Sequence, residues 1–290
     1  MNTPKIIILV GIPGAGKTYY AQNYIRTHDN IVHLSSDAIR AELYGDETIQ
    51  GDANKVFALM QKRAVEALRQ GHDVIYDSTA VTRKDRAPIV KACSGIARIE
   101  CRIIWSPIET CIAQDAARSR IVGKEVIDKM LKRFQSPYYD EGFNGIKVIL
   151  PDNFNPITYT QQCWDALNIP HDNPHHTLDI QAHCEAAESF ARGINCSPEV
   201  CIAAKYHDCG KSYTKSYVDS KGNPSEHAHY YSHDNVGSYM SYGLVGCTVF
   251  GSWLISNHMQ QFYNSKYYNN LKPSLKEPLD QLHQCDLNAH

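Results

Sequence analysis

The eight residues Gly11-Ile12-Pro13-Gly14-Ala15-Gly16-Lys17-Thr18 constrain this chain more than any other segment. They follow the apolar run Lys5–Val10 and precede a stretch with helical character. A glycine-rich turn between a strand and a helix lets backbone N–H groups surround phosphate oxygens at the positive end of the helix. Gly14, Gly16, Lys17 and Thr18 are therefore the expected nucleotide-binding residues. Lys17 would reach the β- and γ-phosphates, and the Thr18 hydroxyl would ligate Mg²⁺. Such a turn works only with a strand before it and a helix after it, so the first part of the chain should be built from β-α units.

Through about residue 150 the pattern agrees. Lys5–Val10, Ile31–Leu34, Asp73–Tyr76, Ile99–Trp105 and Ile146–Leu150 are nearly continuous and apolar, as strands buried on both faces should be. Between them Ala53–Gln70 is rich in helix formers, and Gly71 follows as a C-terminal stop. This rhythm predicts an α/β P-loop domain over residues 1–152, with a parallel sheet covered by helices.

After Pro151 the texture changes. Pro151, Asn153, Asn155, Pro156, Pro170 and Pro174 mark a turn-rich crossing, with a linker expected at 153–170 and His175 and His176 read as structural. Beyond it an all-α domain is expected over residues 171–290. Leu178–Gly193, Pro198–Asp208, Val236–Tyr242, Thr248–His258 and Leu279–Leu287 read as helices. The second of these has Ser197 as its cap, Pro198 at its first position and Gly210 past its end. Tyr213–Ser225 and Gln260–Asn270 read as long polar loops.

A net charge of −2 gives no global field toward nucleic acid or membrane, so any nucleic-acid contact must come from a local basic surface. The ten cysteines contain no C-x-x-C pair, and the opening residues do not read as a secretory signal. Reduced thiols and a cytoplasmic location are expected. The longest apolar run, Ile6–Val10, is far too short to span a bilayer, and no membrane partner is expected.

Several residues near the glycine-rich turn have the chemistry to receive a phosphate. Ser35-Ser36-Asp37-Ala38-Ile39-Arg40 follows the second strand, which puts Asp37 at the carboxyl edge of the sheet, where ligands bind. A carboxylate there can accept the proton of an attacking hydroxyl, although it could instead simply cap the next helix. Arg40, one turn on, could hold an anion of the acceptor. Asp77 closes the strand Val74-Ile75-Tyr76 where a carboxylate would support Mg²⁺ or the acceptor pocket. Arg118 and Arg120 could close over the phosphates and offset transition-state charge.

These motifs, with Asp77-Ser78-Thr79, Arg83, Arg86, Arg118-x-Arg120, Phe134-Gln135-x-Pro137 and Glu141-Gly142-Phe143, resemble the kinase module of polynucleotide kinases over about residues 4–150. Zeta-toxin-type and other small kinases share parts of them. The resemblance implies ATP and Mg²⁺ as cofactors. It implies Asp37 as general base, Arg40 and Arg86 on the acceptor, and Lys17, Arg118 and Arg120 as catalytic residues.

The second half holds His183, His207, Asp208, His229, His233, His258 and Asp286. Imidazole and carboxylate are suitable ligands for Zn, Mn, Fe or Ni. On a helix beginning near Pro278, Leu279, Leu282 and Asp286 fall on one face, so a carboxylate interrupts an apolar stripe. A charge facing a core needs a partner, and a metal would supply one. The order His … His-Asp-x-Gly-Lys … His … His … Asp resembles the HD-domain phosphohydrolases over about residues 171–290. That resemblance implies His183, His207, Asp208 and Asp286 as ligands of a first metal, a divalent transition ion such as Mn²⁺, Ni²⁺ or Co²⁺. It implies His233 and His258, with His233 preferred over His229, for a second metal or the substrate phosphate. Lys211 would neutralise that phosphate.

Together the two resemblances imply an end-healing enzyme. It would pair an ATP-dependent 5′-OH polynucleotide kinase with a metal-dependent 2′,3′-cyclic or 3′-phosphate phosphohydrolase. RNA or DNA ends and ATP are the expected partners, together with a separate ligase. A nucleoside or small-metabolite kinase fused to a nucleotidase makes the same motif demands. So, in part, does a P-loop regulator whose second half only binds nucleotide.

Overall fold

Five runs of β-branched and apolar residues, each flanked by helix-forming sequence, assemble into one parallel sheet. The computed structural model describes residues 3–172 and 178–289, so the expectation for His175 and His176 lies outside the described residues. The chain divides into two compact units, one holding residues through Met130 together with Pro137–Asp152, the other Leu131–Ser136 and the residues from Asn153 onward.

In the first unit the elements run β1 (Lys5–Val10), α1 (Lys17–Arg26), β2 (Ile31–Ser35), α2 (Ser36–Tyr44), α3 (Ala53–Arg69), β3 (Asp73–Asp77), α4 (Arg83–Cys93), β4 (Arg98–Ile104), α5 (Ile108–Ala116), α6 (Lys124–Leu131), a 3₁₀ turn at Tyr139–Glu141 and β5 (Gly145–Ile149). The sheet order is β2-β3-β1-β4-β5, and every pairing is parallel. Ile6 through Val10 are completely enclosed in the central strand β1, which is why that run carries no polar residue. Ser35 pairs with Asp77, so the carboxyl ends of β2 and β3 finish side by side. Gly71 ends the long helix α3 with a φ of 85°, a left-handed turn open to glycine without steric cost.

Arg86 corrects an expectation. Its guanidinium is fully buried and makes a bidentate pair with Glu141, Nε to Oε2 and Nη2 to Oε1 both at 2.7 Å, while Nη1 donates to the Ala80 carbonyl at 3.0 Å. With its donors engaged inside the unit, Arg86 braces α4 against the 3₁₀ turn rather than facing an acceptor. Removing one partner of a buried ion pair typically costs about 3–5 kcal/mol. Arg86→Ala is therefore expected to lower the urea midpoint of this unit markedly, whereas a shift within error of the parent would contradict the bracing role.

The second unit is helical, with α7 (Pro156–Asp165), α8 (Ile180–Gly193), α9 (Pro198–Tyr206), α10 (Lys211–Thr214), β6 (Ser216–Val218), β7 (Pro224–His229), α11 (His233–Ser241), α12 (Val249–Asn257), α13 (Gln260–Tyr263), α14 (Ser265–Asn269) and α15 (Pro273–Leu287). Ser197 caps α9 by accepting from the Val200 amide at 3.3 Å, with Pro198 in the first turn, as the sequence pattern requires. Four local readings differ from the sequence expectation. α7 forms inside the turn-rich crossing, because Asn155 caps it and Pro156 suits a first helical turn. The polar stretch around residues 216–229 pairs into an antiparallel hairpin, and Gln260–Asn270 forms two short helices. α15 begins at Pro273 rather than near Pro278. Pro278 sits only five residues in, so the hydrogen bond it forfeits is among the first of the helix.

Candidate functional site

Each unit gathers one set of reactive side chains. In the first, the phosphate loop leaves the carboxyl end of β1 and enters α1. Gly14 has a φ of 78°, and a Cβ there would lie 2.1 Å from the Cys111 carbonyl oxygen, so both conformation and space require glycine. Lys17 Nζ donates to the Ile12 carbonyl at 2.9 Å, parking the ammonium on the loop itself. Desolvation pushes that ammonium's pKa down, with Asp77 opposing. Thr18 Oγ1 donates to Asp77 Oδ2 at 3.2 Å, and His33 Nε2 approaches the same oxygen at 3.2 Å.

The geometry at Asp37 leaves its carboxylate off the helix cap. Ser35 caps α2, accepting from the amides of Asp37 at 3.3 Å and Ala38 at 3.5 Å. The Asp37 carboxylate is thereby left for side chains. Its Oδ1 accepts from Arg40 Nη1 and Arg120 Nη1, each at 3.0 Å. Lys17, Thr18, Asp37, Arg40, Asp77, Arg118 and Arg120 all line one cleft of about 690 Å³. The segment carrying the two last arginines is tied by Asp115. This carboxylate, 1% exposed, accepts from the Gly123 amide at 2.8 Å and the Val122 amide at 3.0 Å. The cleft thus combines a phosphate loop and its lysine with a carboxylate and three arginines.

In the second unit, α8, α9, α11, α12 and α15 converge on a buried cluster. His183 Nε2 and His207 Nε2 stand 3.3 Å apart, and Asp286 Oδ1 lies 3.0 Å from the first and 3.3 Å from the second. On the other side His233 Nε2 and His258 Nε2 stand 3.1 Å apart. Asp208 joins both sides, with Oδ2 3.4 Å from His207 and Oδ1 3.3 Å from His233. His183, His207 and Asp208 form one group with ligand atoms within 4.8 Å of one another, and Asp208, His233 and His258 form another. The sequence-predicted set is brought together, with Asp286 approaching the first pair. His229 stands apart, stacked on Tyr231.

Whether these residues suit a metal can be read from their outer hydrogen bonds. The Nδ1 atoms of His183, His207, His233 and His258 face the backbone carbonyls of Ala289, Ala204, Tyr230 and Ile255 at 2.7 to 3.0 Å. A carbonyl can only accept, so each Nδ1 carries a proton, and in the neutral ring Nε2 presents a lone pair inward. Lone pairs facing one another across 3.1 to 3.3 Å repel unless a proton or a metal cation stands between them. The same demand for positive charge shows in the proton affinities. Burial opposes charging His207, yet Asp208 and Asp286 raise its pKa to about 9. For Asp286 burial is likewise outweighed, by hydrogen bonds from His183 and His207, and its carboxyl is held far below the usual range. His258 is pushed down to about 3 by burial and then by His233. The donor set fits a divalent transition metal.

Lys211 and Gly210 explain the rest of the His-Asp-Cys-Gly-Lys run. A Cβ on Gly210 would lie 2.1 Å from the His233 carbonyl oxygen, so only glycine lets α11 come this close. Lys211 Nζ lies 2.6 Å from Asp208 Oδ2 and 3.2 Å from His171 Nε2. His171, pushed down to about 4 by burial and then by Lys211, was not singled out in the sequence, nor were His33 and Asp115. Each is an isolated polar residue in its segment, with no motif to mark it.

The parallel sheet and the glycine-rich loop between β1 and α1 give the first unit a P-loop α/β fold. A family model described as an AAA domain matches residues 6–137. Among solved structures the chain is similar to a chain of the Pnkp1/Rnl/Hen1 RNA repair complex, at 24% identity over 46% of this chain and 44% of that one, with a TM-score of 0.42. A second structure of the Pnkp1/Rnl/Hen1 complex gives 27% identity over 39% of each chain and a TM-score of 0.36. A gluconokinase from Sinorhizobium meliloti 1021 gives 12% identity over 53% of this chain and 86% of that one, with a TM-score of 0.37. The chain thus spans less than half the length of the first two. No curated protein matches it. Among the described residues no helix is long and apolar enough to cross a membrane.

Proposed function

We propose that this chain heals nucleic-acid ends. Its first unit would phosphorylate a 5′-OH with ATP, and its second would remove a 2′,3′-cyclic or 3′ phosphate. The observation that carries the reading is Asp37, uncommitted to helix capping and held between Arg40 and Arg120 in the cleft that opens from Lys17. A base with an anion-binding guanidinium beside it suits an acceptor that carries both a hydroxyl and a phosphate of its own. A 5′-OH nucleotide within a strand has that composition, which favours the polynucleotide over a neutral metabolite.

In this mechanism Lys17 and the loop amides hold the ATP phosphates. Thr18 and Asp77 would hold Mg²⁺, which offsets phosphate charge. As acceptor phosphate draws Arg40 away, the Asp37 carboxylate is freed to take the hydroxyl proton. Arg118 and Arg120 offset the charge that develops on the transferred group. In the second unit His183, His207, Asp208 and Asp286 would hold the first transition metal, with His233 and His258 beside Asp208 for a second metal or the phosphate. Such an ion, when bound, would supply Lewis-acid activation of water for attack on phosphorus. Lys211 holds a positive charge against Asp208, where it would meet an incoming phosphate oxygen.

The test is a 3′-phosphate, 5′-OH oligonucleotide, in RNA and DNA versions, incubated with ATP and divalent metals. Phosphate gain at one end and loss at the other are expected. Arg40→Ala should raise KM for the oligonucleotide far more than for ATP. An enzyme that ignores the oligonucleotide but phosphorylates nucleosides or sugars would overturn the polynucleotide assignment.

A further inference from the structure

Beside the histidine cluster the chain makes an abrupt turn that separates two kinds of side chain. Ser232 has a φ of 63°, a left-handed conformation that costs a non-glycine residue roughly 1–2 kcal/mol, and its side chain caps nothing. Such residues concentrate where function over-determines the backbone. On one side of Ser232, His233 turns inward and is buried against Asp208 and His258. On the other, Tyr231 turns outward with 44% of its surface exposed.

Tyr231 is not a loose surface tyrosine. Its ring lies parallel to the His229 imidazole, with centroids 5.3 Å apart and planes 7° apart. Its hydroxyl meets His229 Nδ1 at 3.2 Å, and His229 Nε2 meets Ser225 Oγ at 3.0 Å. A chain of polar contacts therefore fixes the orientation of two flat rings at the end of β7. The backbone links this pair to the cluster directly, because the carbonyl of Tyr230 orients His233 Nδ1 at 2.9 Å. Flat, pre-oriented aromatic faces are the surface on which splayed bases stack, and they cost little side-chain entropy to order.

We propose that the Tyr231–His229 pair is a stacking platform for the nucleobase next to the phosphate held by the histidine cluster. This inference rests on the phosphohydrolase reading of the second unit and adds the substrate class to it. Sequence tolerance follows, since every base has a π-face, and a preference for single-stranded ends follows from the need to unstack the base first.

The experiment uses the full chain with a short single-stranded RNA whose 3′-terminal nucleotide is 2-aminopurine bearing a 3′-phosphate. Stacking quenches its fluorescence. Wild type should quench it, and Tyr231→Leu should weaken binding roughly fivefold to a hundredfold. Tyr231→Trp should restore both quenching and affinity, which a merely structural role for the tyrosine would not predict. In parallel, release of phosphate from glycerol 2-phosphate, which has no base, is followed in all three proteins. Unchanged glycerol 2-phosphate hydrolysis together with a raised KM for the RNA supports the platform. Equal losses on both substrates, or quenching that survives Tyr231→Leu, overturn it. If wild type hydrolyses neither substrate, the phosphohydrolase reading fails, and the platform falls with it unless quenching still depends on an aromatic at 231.

Discussion

Asp208→Ala is expected to lower phosphate release from a 3′-phosphorylated oligonucleotide by more than about a hundredfold, because even outer partners of metal ligands cost 10- to 100-fold when lost. Asp208 is the one side chain shared by both ligand groups, and it also pairs with Lys211 at 2.6 Å. Its loss removes a ligand atom from each side and leaves a buried ammonium without its carboxylate. Local unfolding is the competing explanation, and two measurements separate it. Phosphorylation of the 5′-OH, which depends on the other unit, should persist in the variant. Chelator treatment of the unaltered enzyme should reproduce the loss with the fold intact. Mn²⁺, Ni²⁺ or Co²⁺ should then restore activity better than Mg²⁺, since imidazole nitrogens prefer them. Undiminished phosphate release in Asp208→Ala would defeat the metal-site assignment.

The second large effect belongs to Asp37→Ala. Loss of a general base costs about 10²–10⁴-fold in rate. The geometry makes the expected signature specific. Arg40 and Arg120 both lose their carboxylate partner, so affinity for an anionic acceptor should hold or rise while kcat for 5′ phosphorylation collapses. ATP binding, measured with a fluorescent analogue, should be retained because Lys17 and Thr18 hydrogen-bond to Ile12 and Asp77 rather than to Asp37. Phosphate release by the second unit should not change. Full kcat in Asp37→Ala would remove the base assignment.

Much of this organisation is legible in the sequence because of how strongly certain residues are constrained. A strand enclosed on both faces admits only apolar residues, so Ile6–Val10 announces itself, and a loop that approaches the Cys111 backbone admits only glycine at 14. The buried cluster was legible for a different reason: His183, His207, Asp208, His233, His258 and Asp286 follow the order of the HD-domain pattern, and Asp286 also falls on an otherwise apolar helix face. Arg86 was misread because a guanidinium bound to Glu141 and one bound to phosphate have the same local sequence, and only the distant 3₁₀ turn distinguishes them. The hairpin at 216–229 was missed for a different reason. Its strands are short, polar and largely exposed, so the pairing is specified by the turn around Asp219–Asn223 rather than by hydrophobic alternation. His33, Asp115 and His171 act through partners far away in the chain, and nothing adjacent to them records it.

The tie that Asp115 makes to the amides of Val122 and Gly123 has a thermodynamic consequence for the arginines it encloses. Residues 116–121 become a short hoop with both feet pinned, one at the end of α5 and the other just before α6. The entropy of bringing those feet together is spent during folding, before any nucleotide arrives. When an anion gathers Arg118 and Arg120, the closure cost is already met, and their side-chain rotamers add about 2 kcal/mol each at most. An untethered segment would have to order its backbone as well, at roughly 1–2 kcal/mol per residue. A single buried carboxylate therefore sets how much of the phosphate's binding energy is left for chemistry.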